Sequence, residues 1–440
     1  MHISVIGCGY LGATLAACLA DLGHQVIGVD TDPDLVAALN QATAPFHEPG
    51  LDELLATNHT DGRLRFTTSH AHAADVADLH FLCVGTPAHP DSDAADLSYL
   101  HSAVDSLAPH LTRACTVIGR STVPVGTAAA TAARLARLAP AGDDVELGWS
   151  PEFLREGHGV SDTLHPDRIV LGTDSPRVEK ALRQVWRTQL TAGTPFLVTD
   201  LATAELVKVA ANAFLAAKVS FINAMAQMCE NAGGDVFQLA HALSFDARIG
   251  GQGLRPGPGY GGGCLPKDVG AFAATARETG ADLVVGLLER VQHVNARRRT
   301  EVVDAAERMC DVAAGARIAV WGAAFKAGTD DIRDSPALDI AERLRVRGAR
   351  VTVFDPQALD RARKTYPDLG YADSAEDTVT DADLLVHLTD WPEFTRIDPR
   401  TIGHRACSPR LLDARGGLDR QRWKNAGWQV RTIGIGESEA

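Results

Sequence analysis

Strand and helix patterns alternate over residues 2–199, an unbroken helical pattern follows, and the alternation restarts at 317. These observations predict an α/β chain: two doubly wound, Rossmann-like domains joined by a long central helix and a helical connector domain. The expected boundaries are 1–199, 200–310 and 311–440. Length agrees, because 440 residues exceed what one core holds, roughly 250–300.

In the first series the expected strands are HISVI (2–6), QVIGVD (25–30), LHFLCV (79–84), ACTVIG (114–119), VELGWS (145–150), RIVLG (168–172) and PFLVT (195–199). Helical patterns fill much of the space between them, which predicts a parallel sheet. The opening MHISVIGCGYLG has no basic segment and its apolar stretch is broken by glycines, so it reads as a first strand rather than a leader. Residues 200–232 hold a 3.6-type period with no internal Gly or Pro, one helix stopped by Gly233-Gly234. Further helices are expected at 235–244, 266–279 and 282–310, interrupted by the glycine-rich RIGGQGLRPGPGYGGGCLP. The second series runs through RIAVWG (317–322), a helix from Ser335, RVTVFD (350–355), DLLVHLT (383–389) and LLDA (411–414). The terminal GESEA reads as a frayed acidic tail.

Composition excludes several classes. With 45% hydrophobic and 22% charged residues the chain is not disordered. A net charge of −14 argues against a general nucleic-acid or acidic-lipid binder, which needs a basic footprint. Eight scattered cysteines with no CxxC make neither a disulfide framework nor a metal site. No run of 18 apolar residues offers a membrane span, so the expectation is a soluble protein of a reducing, cytoplasmic compartment. Only seven of the 42 basic residues are Lys, the first at Lys180, which makes each Lys worth locating.

Gly7-Cys8-Gly9-Tyr10-Leu11-Gly12 follows the first strand and opens a helical pattern at 10–22. Gly7 makes the tight turn, Gly9 lets the backbone approach a pyrophosphate, and Gly12 packs helix against strand. Asp30 ends the next strand, where a carboxylate takes both ribose hydroxyls. Thr31 and Asp32 follow with no Arg to hold a 2′-phosphate, so NAD is favoured over NADP. Val320-Trp321-Gly322 lacks the full fingerprint and need not hold a dinucleotide.

One cysteine stands apart. Cys264 lies in GPGYGGGCLPKD, where Pro266 suits a first helical turn, so the thiol sits at a helix N-terminus that stabilises a thiolate. Asp268 lies four residues on, on the same face. Along the long helix Lys208 and Asn212 share a stripe, with Glu205 one turn earlier, and on an otherwise apolar helix they look aimed at a site. Further polar groups follow strand ends in SPEFLREG (150–157) and STVP (121–124).

These motifs, together with VGTP (84–87), STVPVGT (121–127), AELVKVAANAFLA (204–216), DARIG (246–250), FKAGTDDIRDSP (325–336) and DARGG (413–417), resemble the nucleotide-sugar 6-dehydrogenases, the UDP-glucose/GDP-mannose 6-dehydrogenase family, on its UDP-glucose branch. The resemblance runs along nearly the whole chain. It implies oxidation of C6 of a nucleotide hexose from alcohol to acid with two NAD and one water. By the same resemblance Cys264 captures the aldehyde as a thiohemiacetal, which is oxidised to a thioester and hydrolysed. Lys208 stabilises the oxyanion with Asn212 beside it, Asp268 and Thr122 hold or deprotonate a water, and Glu152 is the base in hydrolysis. Cofactor contacts fall to Gly7, Gly9, Tyr10, Leu11, Gly12, Asp30, Thr86, Thr122, Glu156 and Lys267. Substrate contacts fall to Phe153, Leu154, Lys208, Asn212, Tyr260, Gly261, Lys326 and Arg415, and to Arg248, which crosses from a neighbouring subunit and implies a homodimer.

The sequence departs from the family pattern at Gly263, where Ser is usual, at Arg120 for Lys, and at Leu35 for a cation against the adenosine. CLPKD argues against N-acetylated UDP-hexosamines, and Arg248 favours UDP-glucose over GDP-mannose. Uridine and thymidine differ by one methyl, worth only about 1–3 kcal/mol, so dTDP-glucose stays open, as does GDP-mannose. A non-catalytic nucleotide-sugar-binding protein is the alternative from another class, disfavoured by the intact Cys264, Lys208, Asn212, Asp268 and Glu152.

Overall fold

The computed structural model describes residues 1–312 and 314–436; all but Gly436 of the expected acidic tail lies outside them. The chain divides into two compact units, Met1–Ala211 with Gly270–Thr279, and Asn212–Val269 with Gly280–Ala440.

The first unit carries eight strands: β1 (His2–Ile6), β2 (Gln25–Val29), β3 (Leu64–Thr67), β4 (Leu79–Leu82), β5 (Cys115–Gly119), β6 (Val145–Trp149), β7 (Ile169–Gly172) and β8 (Phe196–Thr199). Their order is β3-β2-β1-β4-β5-β6-β7-β8. The central strands are apolar on both faces because helices cover both. Ile3 and Val5 of β1 join one buried cluster and Ile6 the other, as the two-residue period demands. The strand order reverses between β1 and β4, which opens a crevice at their carboxyl ends beside Gly7.

The expectation of a wholly parallel sheet needs correction. β6 pairs antiparallel with β7, while β7 and β8 are parallel to each other. Between β6 and β7 the only helix is the six-residue Gly159–Leu164, preceded by the SPEFLREG loop. Without a full crossover helix the chain re-enters the sheet at the end it left and runs back the other way. β3 was missing from the expected strands because it lies at the sheet edge. Its LRFT alternates buried and exposed residues and offers no apolar run.

The second unit holds β9 (Arg317–Trp321), β10 (Arg350–Phe354), β11 (Gly370–Tyr371), β12 (Leu384–His387), β13 (Arg410–Asp413) and β14 (Gln429–Thr432), ordered β11-β10-β9-β12-β13-β14 and parallel throughout. This repeats the 3-2-1-4-5-6 order of the first six strands in the other unit. β11 and β14, unanticipated, are again the edge strands.

Helix Leu201–Ala232 starts at Asp200, whose carboxylate accepts the Thr203 N–H at 2.7 Å. It stops at Gly233, φ +73°, where the Gly234 N–H reaches back to the Cys229 carbonyl at 2.8 Å. By length and composition this helix could cross a membrane, contrary to the sequence expectation. Its polar side chains say otherwise: Glu205, Lys208, Asn212, Ser220 and Asn223 are buried and bonded to other protein groups. Helices Val236–Ser244, Leu265–Glu278 and Asp282–Met309 follow as expected within a residue or two.

Glu205 was grouped with Lys208 and Asn212, but its carboxylate does a different task. It accepts the N–H groups of Gly126 at 2.8 Å and Ala128 at 2.6 Å, capping helix Thr127–Leu138. Removing it orphans two amides beneath a side chain that is 2% exposed. Glu205→Ala is expected to lower unfolding free energy by about 2–4 kcal/mol, and Glu205→Gln by clearly less, in denaturant titrations. Equal effects of the two variants would exclude the capping role.

Candidate active site

In the first unit the Gly7 turn has φ +89°, and a Cβ at Gly12 would run into the Gly7 carbonyl. Above Gly9 the space is open, and helix Tyr10–Asp21 begins there with no side-chain acceptor for its first amides. Those amides and the helix dipole suit a pyrophosphate. Asp30 takes the Cys8 N–H at 2.7 Å and the Asp32 N–H at 3.1 Å, which aligns its carboxylate at the strand end. The residues fit a dinucleotide of the NAD type.

The second unit has the corresponding turn, and it is closed. Asp355 follows β10 as Asp30 follows β2, yet it is 1% exposed. Its oxygens accept N–H groups from Ala323, Ala324, Gln357 and Ala358 and the Trp391 indole at 3.0 Å. A carboxylate so occupied has nothing left for a ribose.

Around the first crevice Tyr10 donates to Glu48, which also accepts the Gly157 N–H at 2.7 Å and the Val160 N–H at 3.2 Å. This buried carboxylate ties the glycine turn to the segment carrying Glu152 and Glu156. Burial and Glu48 together raise the Tyr10 phenol far above its ordinary range, so it remains a donor. Thr86 donates to the Thr122 carbonyl at 2.7 Å, joining VGTP to STVP. Glu156 is 9% exposed.

Lys208 and Glu152 form an ion pair at 2.9 Å, with side chains only 6% and 11% exposed. The other Glu152 oxygen accepts the Leu154 N–H at 2.6 Å. Phe153 lies half-buried, with the Arg168 guanidinium 3.8 Å and the Lys208 ammonium 5.8 Å from its ring centre.

One turn further along the same helix, in the second unit, Asn212 donates to Asp268 at 2.6 Å. Lys267 contacts the other Asp268 oxygen at 2.6 Å, and Asp268 is 2% exposed. Cys264 is exposed and immediately precedes helix Leu265–Glu278, its carbonyl accepting the Asp268 N–H at 2.9 Å. The thiols of Cys8, Cys18, Cys83, Cys115, Cys229 and Cys310 are pushed up by burial, those of Cys18 and Cys83 to about 12.

Gly261 and Gly262, before Cys264, leave no room for side chains. The Gly262 amide donates to the Arg333 carbonyl at 2.9 Å, at φ +86°, and a Cβ there would enter the Phe325 ring. At Gly263 the Arg333 guanidinium, the end of a largely exposed side chain, lies where a Cβ would point. Tyr260 is 7% exposed, and burial raises its phenol to about 12. Gly261 is buried beside it, against the Asp334 carbonyl. Lys326 is half-buried, its ammonium 5.5 Å from the Phe325 ring centre. Arg415 donates to the carbonyls of Leu388 at 2.7 Å and Phe325 at 3.1 Å. Arg248 stands apart on an exposed loop, paired with Asp246 at 2.6 Å.

Three models of one family match in register, its "NAD binding domain" at residues 1–190, its "central domain" at 202–297 and its "UDP binding domain" at 319–420. The chain belongs to the UDP-glucose/GDP-mannose dehydrogenase family. It is 39% identical over 440 residues to a UDP-glucose 6-dehydrogenase of Rhizobium meliloti, covering 99% of each chain. A UDP-glucose dehydrogenase from Pyrobaculum islandicum superposes with a TM-score of 0.89 at 33% identity, covering 99% of this chain and 98% of that one. A UDP-D-ManNAc dehydrogenase from Pyrococcus horikoshii gives 0.85 at 28% identity, covering 100% of both. The cofactor of this family member is NAD, in the domain of residues 1–190.

Sequence reading missed Glu48, Asn223, Asn295, Arg298 and Arg299. Asn223 accepts the Gly257 N–H at 2.9 Å, and Arg298 donates to the Gly257 carbonyl at 3.0 Å. Glu48 lies on a loop and the other four on amphipathic helices, where such residues read as solvated. Their only signal is the absence of any other partner for a glycine-rich backbone that has to be buried.

The Lys208–Glu152 pair has a measurable signature. Lys208→Met alone leaves a buried carboxylate unpaired, a cost of about 3–5 kcal/mol. Adding Glu152→Gln is expected to recover at least about half of it. Additive losses in a double-mutant cycle would mean the two groups are independent.

Proposed function

We propose that this chain is an NAD-dependent UDP-glucose 6-dehydrogenase, converting UDP-glucose to UDP-glucuronate with two NAD and one water. The observation that carries the reading is Cys264: an exposed thiol at a helix cap, with the buried Asp268–Asn212 pair one turn into that helix. Full-length similarity to the Rhizobium and Pyrobaculum enzymes supports the sugar. In this reading residues 1–199 hold NAD, 200–310 carry the nucleophile, and 311–440 hold the nucleotide sugar.

Bound NAD supplies the hydride acceptor for both oxidations, one NAD for each. Asp268, with Thr122, holds the water that takes the C6 hydroxyl proton. The Cys264 sulfur then adds to the aldehyde carbon, so the intermediate stays bound between oxidations. Lys208 and Asn212, one turn apart on one helix, meet the negative oxygen of the adduct. After the second oxidation the carbon is a thioester. Glu152 takes a proton from water, the hydroxide adds, and the C–S bond breaks to return the thiol and release a carboxylate. Because Glu152 shares Lys208 with the oxyanion, the base and the charge stabiliser lie one hydrogen bond apart.

Gly7, Gly9, Tyr10, Leu11, Gly12 and Asp30 hold the dinucleotide, with Thr86, Thr122, Glu156 and Lys267 around the nicotinamide end. Phe153, Leu154, Tyr260, Gly261, Lys326 and Arg415 hold the sugar nucleotide. The protein acts in the cytoplasm as a homodimer. Phe214, Phe221, Met228, Phe245, Leu283 and Leu287 of the second unit are exposed and offer apolar surface to a second copy. Arg248 would then reach the sugar of its neighbour.

Purified protein with NAD and a panel of UDP-glucose, dTDP-glucose, GDP-mannose and UDP-N-acetylhexosamine should prefer UDP-glucose and yield two NADH per sugar. One NADH per sugar, or full activity in Cys264→Ala, would sink the thioester route. Arg248→Ala is expected to lose turnover with its fold intact. Mixed and re-equilibrated with Cys264→Ala, it should recover about a quarter of wild-type activity through mixed dimers. No recovery, with mixed dimers demonstrated, would exclude a shared site.

A further inference from the structure

We propose that Asn295 and Arg299 are positioning residues that clamp the glycine loop and thereby aim Cys264. The inference rests on the assignment of Cys264 as nucleophile. Both residues project from helix Asp282–Met309, one turn apart, and each is 7% exposed.

Asn295 grips Tyr260 by its backbone, accepting its N–H at 2.8 Å and donating to its carbonyl at 3.0 Å. Arg299 donates to the same carbonyl at 3.0 Å. Its fork also meets both carboxylate oxygens of Asp334, at 2.8 and 2.9 Å, and the Asp334 carbonyl at 3.3 Å. Asp334 adopts φ +44°, a conformation rare outside glycine, and the bidentate guanidinium helps to hold it there. The Asp334 carbonyl lies against Gly261, and the preceding Arg333 carbonyl takes the Gly262 amide. Both walls of the Gly261–Gly263 turn are therefore tied to one pair of side chains.

The arrangement matters because three consecutive glycines are the most mobile backbone a chain can have. Cys264 follows them directly, and its helix-cap position is only as well defined as that turn. A misplacement of about 1 Å at a reacting atom can cost on the order of a hundredfold in rate. Nothing in Asn295 or Arg299 need touch substrate for this effect.

The test uses the full-length protein with Arg299→Lys, which keeps the charge but loses the fork, and Asn295→Leu, which keeps the volume but loses both bonds. Two readouts separate positioning from bulk stability. One is the iodoacetamide alkylation rate of Cys264 relative to the exposed Cys407 of the same molecule, by peptide mass spectrometry. The other is kcat with UDP-glucose against KM for NAD. Both variants are expected to slow Cys264 alkylation and kcat about tenfold while KM for NAD and Cys407 alkylation stay unchanged. Should either variant fail to fold, Asp334→Asn weakens the same fork from a half-exposed position, with the same expectation. Folded variants with Cys264 reactivity and kcat within about twofold of wild type overturn the clamp, whatever their thermal midpoints. If the wild type makes no NADH from UDP-glucose, the proposed function fails, and the alkylation comparison still judges the clamp.

Discussion

Helix Leu201–Ala232 buries charge, and the surrounding structure answers it. Along an apolar face it carries Glu205, Lys208 and Asn212, none more than 8% exposed. A buried ion or amide without a partner costs several kcal/mol, so each must be met by a specific group. Glu205 is met by the amides that start helix Thr127–Leu138, Lys208 by Glu152, and Asn212 by Asp268. Within the first unit the helix thus holds residues 126–128 and Glu152, and within the second the residue Asp268.

The two sheets show how one architecture serves different ends. Both use the same strand order and both place an Asp after the second strand. The first is left half-exposed beside an open glycine, while the second is buried under five donors, including the Trp391 indole. The second carboxylate holds its own turn closed, and the unit keeps its crevice free for another ligand class. A −14 net charge is compatible with anionic ligands because amides at helix starts and a few placed cations meet them locally.

How much was legible from sequence follows from burial. Strands apolar on both faces, the long Gly-free helix and the glycine-marked turns all left periodic or compositional traces. β3 and β14 left none, because each buries one face and alternates with polar residues, and β11 left none because it is two residues long. The direction of β7 was likewise hidden, since it depends on how the SPEFLREG segment is spent.

The same division holds at the site. Spacing alone placed Cys264 at a helix start and put Lys208 and Asn212 on one stripe, because helical geometry is local. Only the tertiary structure decided that Glu205 turns away to cap a helix, that Arg333 occupies the space above Gly263, and that Asn295 and Arg299 bond to the backbone of Tyr260. Local sequence determines what a residue can do along its own helix or turn. Which partner it finds depends on segments dozens to hundreds of residues away, brought together by the need to pair every buried polar group.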